Sequence, residues 1–402
     1  MSSGASSSSA GVTSSGGGDE GDRQVVVQPP DGLVSWGEGS APSIPSVDDE
    51  SESGDNDSAI GGMSVVTSTQ SLRSSIYEDV EENGRTYHRF KEGKYPLPND
   101  AQEQERLDLQ HALFGVTLEG KLHLAPIADG IENCLDIATG IYFAIYGVPS
   151  IPKLSMVLTS VVGTGIWAIE FAEKYPKCKV LGTDLSAIQP LYVPPNLRFE
   201  IDDAEDEWIF SERFDFIHGR ALLSCFKEPS FVIQQAFNTL KPGSYLELQD
   251  GTFPFKYIGP PPLDSAIYKW NQLVVAGAAA SGRPWTNVTH YARWMQEIGF
   301  VDIEEKQFYW PTSAWPKGEY FKQVAAYWQA DFLNGIEGIS LKVMGKLGWD
   351  AEEIRVFCEK VRGDVRDVGI KAYLPITVVY GRKPFENETT PVASTESVAE
   401  SV

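Results

Sequence analysis

Three kinds of chemistry-bearing residue stand at the ends of short apolar runs in this sequence. The most informative run is Cys134 to Gly140, CLDIATG, a predicted strand whose end carries Asp136 and then small residues. Small residues at a strand-to-helix turn let the backbone approach a nucleotide-like ligand closely. The carboxylate narrows the choice. A dinucleotide site places pyrophosphate at this turn and excludes negative charge, whereas a ligand with a cationic amino acid end accepts it. A tight connection with no ligand is the bland alternative, and no GxGxxG follows the strand to support nicotinamide chemistry. His218, closing the run FDFIH, is the best-placed titratable candidate, because imidazole near neutrality can take a proton. A structural histidine at the sheet edge is the competing reading.

Positioning such groups requires a sheet, and the chain alternates accordingly. Ala101 to Gly115 reads as a helix capped by Asp100, followed by a strand at Cys134 to Ala138 and a helix at Ile166 to Lys174. Strands at Lys179 to Thr183, Leu197 to Ile201 and Phe214 to His218 come next. A helix at Pro229 to Leu240, the turn Lys241-Pro242-Gly243 and a strand at Ser244 to Gln249 complete the alternation. Helices of this length between strands imply a mostly parallel sheet covered on both faces, the doubly wound α/β class. Helices over Glu319 to Leu347 and Ala351 to Val368 and a last strand over Lys371 to Arg382 are expected further on.

Charge bounds the partners. The 402 residues carry 33 basic and 56 acidic side chains, a net charge of −23, and residues 1–82 alone hold 15 of the acids and 2 of the bases. Neither nucleic acid nor an anionic membrane is an expected direct partner, since both demand a basic surface. Cys134, Cys178, Cys225 and Cys358 are widely spaced, so no metal site is expected and reduced thiols are the default. No signal peptide or apolar run of about 20 residues is recognisable, which points to the cytoplasm or nucleus. Residues 1–82, rich in serine, glycine and acid, are expected to be disordered, as are residues 385–402, with the ordered domain over 83–384.

When residues 141–163 are omitted, the text reads LDIATGTGIWAIEFAEKYP, which resembles the nucleotide-binding signature of class I S-adenosylmethionine-dependent methyltransferases. A narrower likeness spans about residues 83 to 384 through NGRTYHRFKEGKYPLPNDAQEQERLDLQHALF, GKLHLAP, GTDLSAIQP, VPPNLRFEIDDAEDEW, FDFIHGR and LKPGSYLELQD. These segments are similar to the filamentous-fungal methyltransferases related to the LaeA-type regulator of secondary metabolism. The resemblance implies a Rossmann-like, seven-stranded, mostly parallel sheet with helices on both faces, and S-adenosylmethionine as cofactor. It implies cofactor contacts at Asp136, Ala138, Gly140, Thr164 and Gly165 in the turn. It also implies Asp184 with Leu185 on the ribose, and Asp203 with Ala204 at the adenine. Ala138 stands where many relatives have glycine, which is read as a mild change.

Residues 141–163, IYFAIYGVPSIPKLSMVLTSVVG, split that signature. They read as a translated intron, a tolerated loop or a membrane-facing element; Pro149, Pro152 and Lys153 argue against the last. A loop so apolar is unusual, and the intron reading is preferred. The split is expected to reopen the tight turn and weaken the cofactor site while sparing the fold. Tyr87, Phe90 and Tyr95 with Arg89, Lys91 and Lys94 could form a lid, since aromatic faces suit a sulfonium cation. Residues 255–370 are read as including acceptor-side helices, with Trp285, Trp294, Trp310, Trp315 and Trp328 as wall or core. The expected function is methyl transfer to an unknown small-molecule or protein acceptor. A non-catalytic scaffold that binds a regulatory protein through its acidic tail is the alternative.

Overall fold

The computed structural model describes residues 79–91, 93–140, 165–185 and 193–388. The insert at 141–163, Thr164, and the terminal segments before 79 and after 388 lie outside the described residues. Two boundaries of the expected tails need correction. Residues Asp79–Glu82 form β1 and pair antiparallel with β2 (Arg85–His88), so a domain limit at 83 would cut a hairpin. Its turn is Asn83-Gly84, with φ of 55° and 77°, a conformation this pair of residues adopts readily. At the other end Arg382 donates to both oxygens of Glu388 at 2.8 Å, which carries order past 385.

Helix α1 (Ala101–Thr117) starts where Asp100 accepts from the Glu103 amide at 3.1 Å. The sheet then builds from β3 (Asn133–Ile137), β4 (Lys179–Asp184), β5 (Leu197–Ile201), β6 (Phe214–Arg220) and β7 (Leu240–Gly251), all parallel where they pair. Helix α2 (Ile166–Lys174) follows β3, and α3 (Pro229–Thr239) joins β6 to β7. Two-residue β8 (Lys256–Tyr257), helices α4 (Ala266–Ala280) and α5 (Tyr291–Ile298), and β9 (Val301–Pro311) come next. The chain closes with α6 (Glu319–Gly345), α7 (Ala351–Arg366) and β10 (Ala372–Arg382).

The strand order is β5-β4-β3-β6-β7-β10-β9, with β8 beside the start of β10. Seven full strands and one short one therefore share the sheet. β10 runs antiparallel to both β7 and β9. The order reverses between β3 and β6, and the crevice at the carboxyl ends of these strands is where such sheets bind ligands. Alternate residues feed opposite layers: Leu135, Leu181 and Ile217 join the core under α3 and α5, while Cys134, Val180 and Phe216 join the core under α2. A third core unites α4, α6 and α7 with α1 and β10. There Gly277 of α4 lies so close to α6 that a Cβ would collide with the Val343 carbonyl oxygen. No helix among the described residues is long and apolar enough to cross a membrane.

Candidate active site

The two flanks of the interruption after β3 sit side by side, so each half of the split turn keeps its place although residues 141–163 separate them in sequence. The Gly165 amide donates to the Thr139 carbonyl at 2.8 Å, and the Thr139 amide donates to the Thr183 carbonyl at 2.9 Å. The chain thus leaves after Gly140 and returns at Gly165 beside its point of departure. Gly140 (φ 97°) and Gly165 (φ 87°) use backbone space that favours glycine, and a Cβ on Gly165 would lie 2.8 Å from the Phe199 ring. Ala138 also has a positive φ, 52°. An alanine in that conformation costs about 1 to 2 kcal/mol relative to glycine, more than the mild change expected.

Asp136, at the end of β3 and buried, is held from two sides. Thr139 Oγ1 donates to its Oδ2 at 2.6 Å, and His218 Nδ1 donates to its Oδ1 at 2.8 Å. His218 stacks on Trp167 of α2, with ring centroids 3.7 Å apart and planes 4° from parallel. It sits on β6, between β3 and β7, and so not at a sheet edge. Burial drives the imidazole pKa down against the upward pull of Asp136, which keeps the ring neutral.

Two more acids stand at the next strand ends. Asp184 closes β4 and accepts the Gly140 amide on Oδ2 at 3.0 Å, tying the two turns together. Asp203 follows β5; Lys91 donates to its Oδ2 at 2.6 Å, Lys94 reaches the same oxygen, and the Glu205 amide donates to Oδ1 at 3.0 Å. Burial raises the Asp203 pKa, but the two lysines outweigh it and hold the carboxyl below its ordinary value.

Every sequence-predicted site residue among the described ones, His218 included, lines one cleft of about 1030 Å³, its open mouth counted. From the lead-in, His88 and Tyr95 reach the cleft, and Lys91 and Lys94 clamp its rim through Asp203.

Arg220, at the end of β6, is a cleft residue that spacing did not reveal. Burial pushes its pKa down to about 10, against the pull of Asp136 and Glu170, so it stays charged at neutral pH. It donates to His111 Nδ1 at 2.8 Å, His111 Nε2 donates to Glu170 at 3.1 Å, and the guanidinium lies 4.9 Å from the Phe114 ring centre. Its position immediately after His218-Gly219 was the only available signal.

A sheet of this order with its single reversed strand, and a cleft at the switch point lined by acids from successive strand ends and one arginine, define a Rossmann-like methyltransferase. S-adenosylmethionine is its cofactor, and the acids, the close backbone approach and the arginine fit that group. A family model described as a methyltransferase domain matches residues 162–305. The match begins after most of the interruption and leaves β3 outside. Methyltransferase pytC of Aspergillus terreus is 32% identical over 322 residues, covering 79% of this chain and 92% of that protein. The secondary metabolism regulator LAE1 of Cochliobolus heterostrophus is 32% identical over 312 residues, covering 75% and 94%. The secondary metabolism regulator laeA of Aspergillus fumigatus is 30% identical over 356 residues, covering 86% and 89%. The chain belongs to this family of LaeA-like fungal methyltransferases.

Proposed function

We propose that this cleft binds S-adenosylmethionine through the residues at its strand ends and serves methyl transfer within fungal secondary metabolism. The observation that carries the reading is the convergence of Asp136, Asp184 and Asp203 on one cleft. The cofactor, when bound, supplies an electrophilic methyl group on a sulfonium centre.

Asp184 takes the ribose hydroxyls while keeping the Gly140 amide. Asp203 offers its less occupied Oδ1, with Ala204, to the adenine edge. Asp136 keeps lone pairs free beyond its bonds to Thr139 and His218, and these receive the amino acid ammonium. Arg220 takes the opposite, carboxylate end. His218 orients Asp136 instead of moving a proton, since it is wholly buried and already donating. Positioning of this kind contributes several kcal/mol without a base.

Calorimetric titration with S-adenosylhomocysteine, followed by transfer of labelled methyl from S-adenosylmethionine into extracts of a strain lacking the protein, tests the reading. Binding with transfer is expected. Absence of binding, even after removal of residues 141–163, would favour a scaffold, the role to which the regulator names of LAE1 and laeA lend weight. Either role fits the cytoplasm or the nucleus, and a regulatory partner would meet the acidic residues before 79.

A further inference from the structure

Arg220 ends β6 at the cleft, and its guanidinium makes one hydrogen bond among the described residues, from Nη2 to His111 Nδ1 at 2.8 Å. Nε and Nη1 have no hydrogen-bond partner among those residues, and none of their carboxylates stands within ion-pair distance. Asp136 and Glu170 pull on the charge only through space. A partly buried charge without a counter-ion is costly, so a cation kept in this state at a cleft is open to an anionic ligand.

His111 of α1 stands behind Arg220, outside the cleft lining. Guanidinium nitrogens only donate, so His111 Nδ1 accepts and the ring proton sits on Nε2. Glu170 of α2 fixes that tautomer, since His111 Nε2 donates to its Oε2 at 3.1 Å. Burial and the charge of Arg220 lower the imidazole pKa against the upward pull of Glu170 and Asp136, so the ring is neutral at neutral pH. A neutral acceptor holds the cation without cancelling its charge, which a carboxylate in the same place would do. Phe114, on the same face of α1, puts its ring centre 4.9 Å from the guanidinium carbon. It also lines a second, aromatic cavity of about 740 Å³ with its mouth counted, together with Trp285, Trp310 and Trp328. The aromatic wall expected from the sequence is thus realised in part, since Trp294 and Trp315 do not line that cavity.

We propose that His111 is the positioning residue for Arg220, holding the guanidinium so that its free edge, with charge intact, meets the carboxylate of the bound cofactor. His111 thereby sets the preference for ligands that carry an amino acid end. It acts through the Nδ1 lone pair, so another neutral acceptor at that point serves and an apolar side chain does not. The proposal rests on the reading of the cleft as an S-adenosylmethionine site with Arg220 at the carboxylate end.

Calorimetry on the full chain with S-adenosylhomocysteine and 5′-methylthioadenosine, which lacks the amino acid end, tests it. His111→Leu removes the acceptor and should weaken S-adenosylhomocysteine about tenfold or more, while methylthioadenosine changes by less than about threefold. His111→Asn offers a neutral oxygen near the place of Nδ1 and should stay within about threefold of wild type for both ligands. Retained methylthioadenosine binding shows that a variant's cleft has folded. The wild-type protein supplies a measurement of its own: nitrogen NMR of labelled histidines at neutral pH should find His111 neutral with its proton on Nε2. Should His111→Leu not fold, the asparagine variant and this tautomer decide. A proton on Nδ1, equal changes for both ligands in a folded His111→Leu, or failure of His111→Asn to keep S-adenosylhomocysteine affinity would overturn the proposal. Arg220→Lys separates the two levels. If it spares S-adenosylhomocysteine, the carboxylate reading fails and takes the proposal with it; a loss there beside an unaffected His111→Leu sinks the proposal alone.

Discussion

Gly165 and Thr139 are hydrogen-bonded neighbours at 2.8 Å across the point where residues 141–163 interrupt the chain. The turn that faces the cofactor is therefore made from two separated stretches. Deleting 141–163 should leave the circular dichroism spectrum unchanged and stabilise the protein by about 1 to 3 kcal/mol through chain entropy. Affinity for S-adenosylhomocysteine should rise about tenfold or more as the donor side becomes continuous. Equal affinities in a calorimetric titration would show that the interruption does not obstruct the site.

Arg220 should separate ligands by their carboxylate. In Arg220→Lys the forked contact is lost, and S-adenosylhomocysteine affinity should fall about tenfold or more, while 5′-methylthioadenosine, which has no amino acid end, should change by less than about threefold. Parallel losses for both ligands would remove Arg220 from the carboxylate role.

His218 should behave as a positioning residue. Asp136 needs a donor at Oδ1, so His218→Asn should keep most of the transfer rate, whereas His218→Ala should cost about 1 to 3 kcal/mol of stability and most cofactor affinity. A pH–rate profile that loses an imidazole limb in His218→Asn would instead assign it a proton-transfer role.

Asp331 carries a pH signature. Its folded-state pKa of about 6 lies above the ordinary 3.8, so the folded protein takes up this proton before the unfolded chain does. Its contribution to stability therefore grows as pH falls from about 8 to about 4, by up to about 3 kcal/mol. Thermal melts of wild type and Asp331→Asn should diverge across that window in favour of the wild type, and parallel curves would contradict the assignment.

Much of this was legible in advance where local chemistry and periodicity agreed. The helix over Ile166 to Lys174 and the strand over Leu197 to Ile201 match their expected limits, because apolar spacing and turn residues bound both. Asp136, Asp184 and Asp203 stand at or just past strand ends, and strand ends are readable. The hairpin at 79–88 carries little signal because its strands are four residues each and the first is acidic, and β9 because it is an edge strand with charge on its exposed face. Arg220 and Asp331 owe their settings to neighbours far away in sequence, His111 and Arg106, and no local pattern encodes such meetings.

Helix α1 has one further consequence. Leu107 and Gln110 of this helix, together with Tyr95 and Ala221, border both the cleft and the aromatic cavity, so the helix lines both spaces at once. It lies ahead of the region matched by the methyltransferase family model, and Arg106 bolts it to α6. Exchanging this helix between relatives should therefore alter both spaces together, and neither can be retuned through it alone.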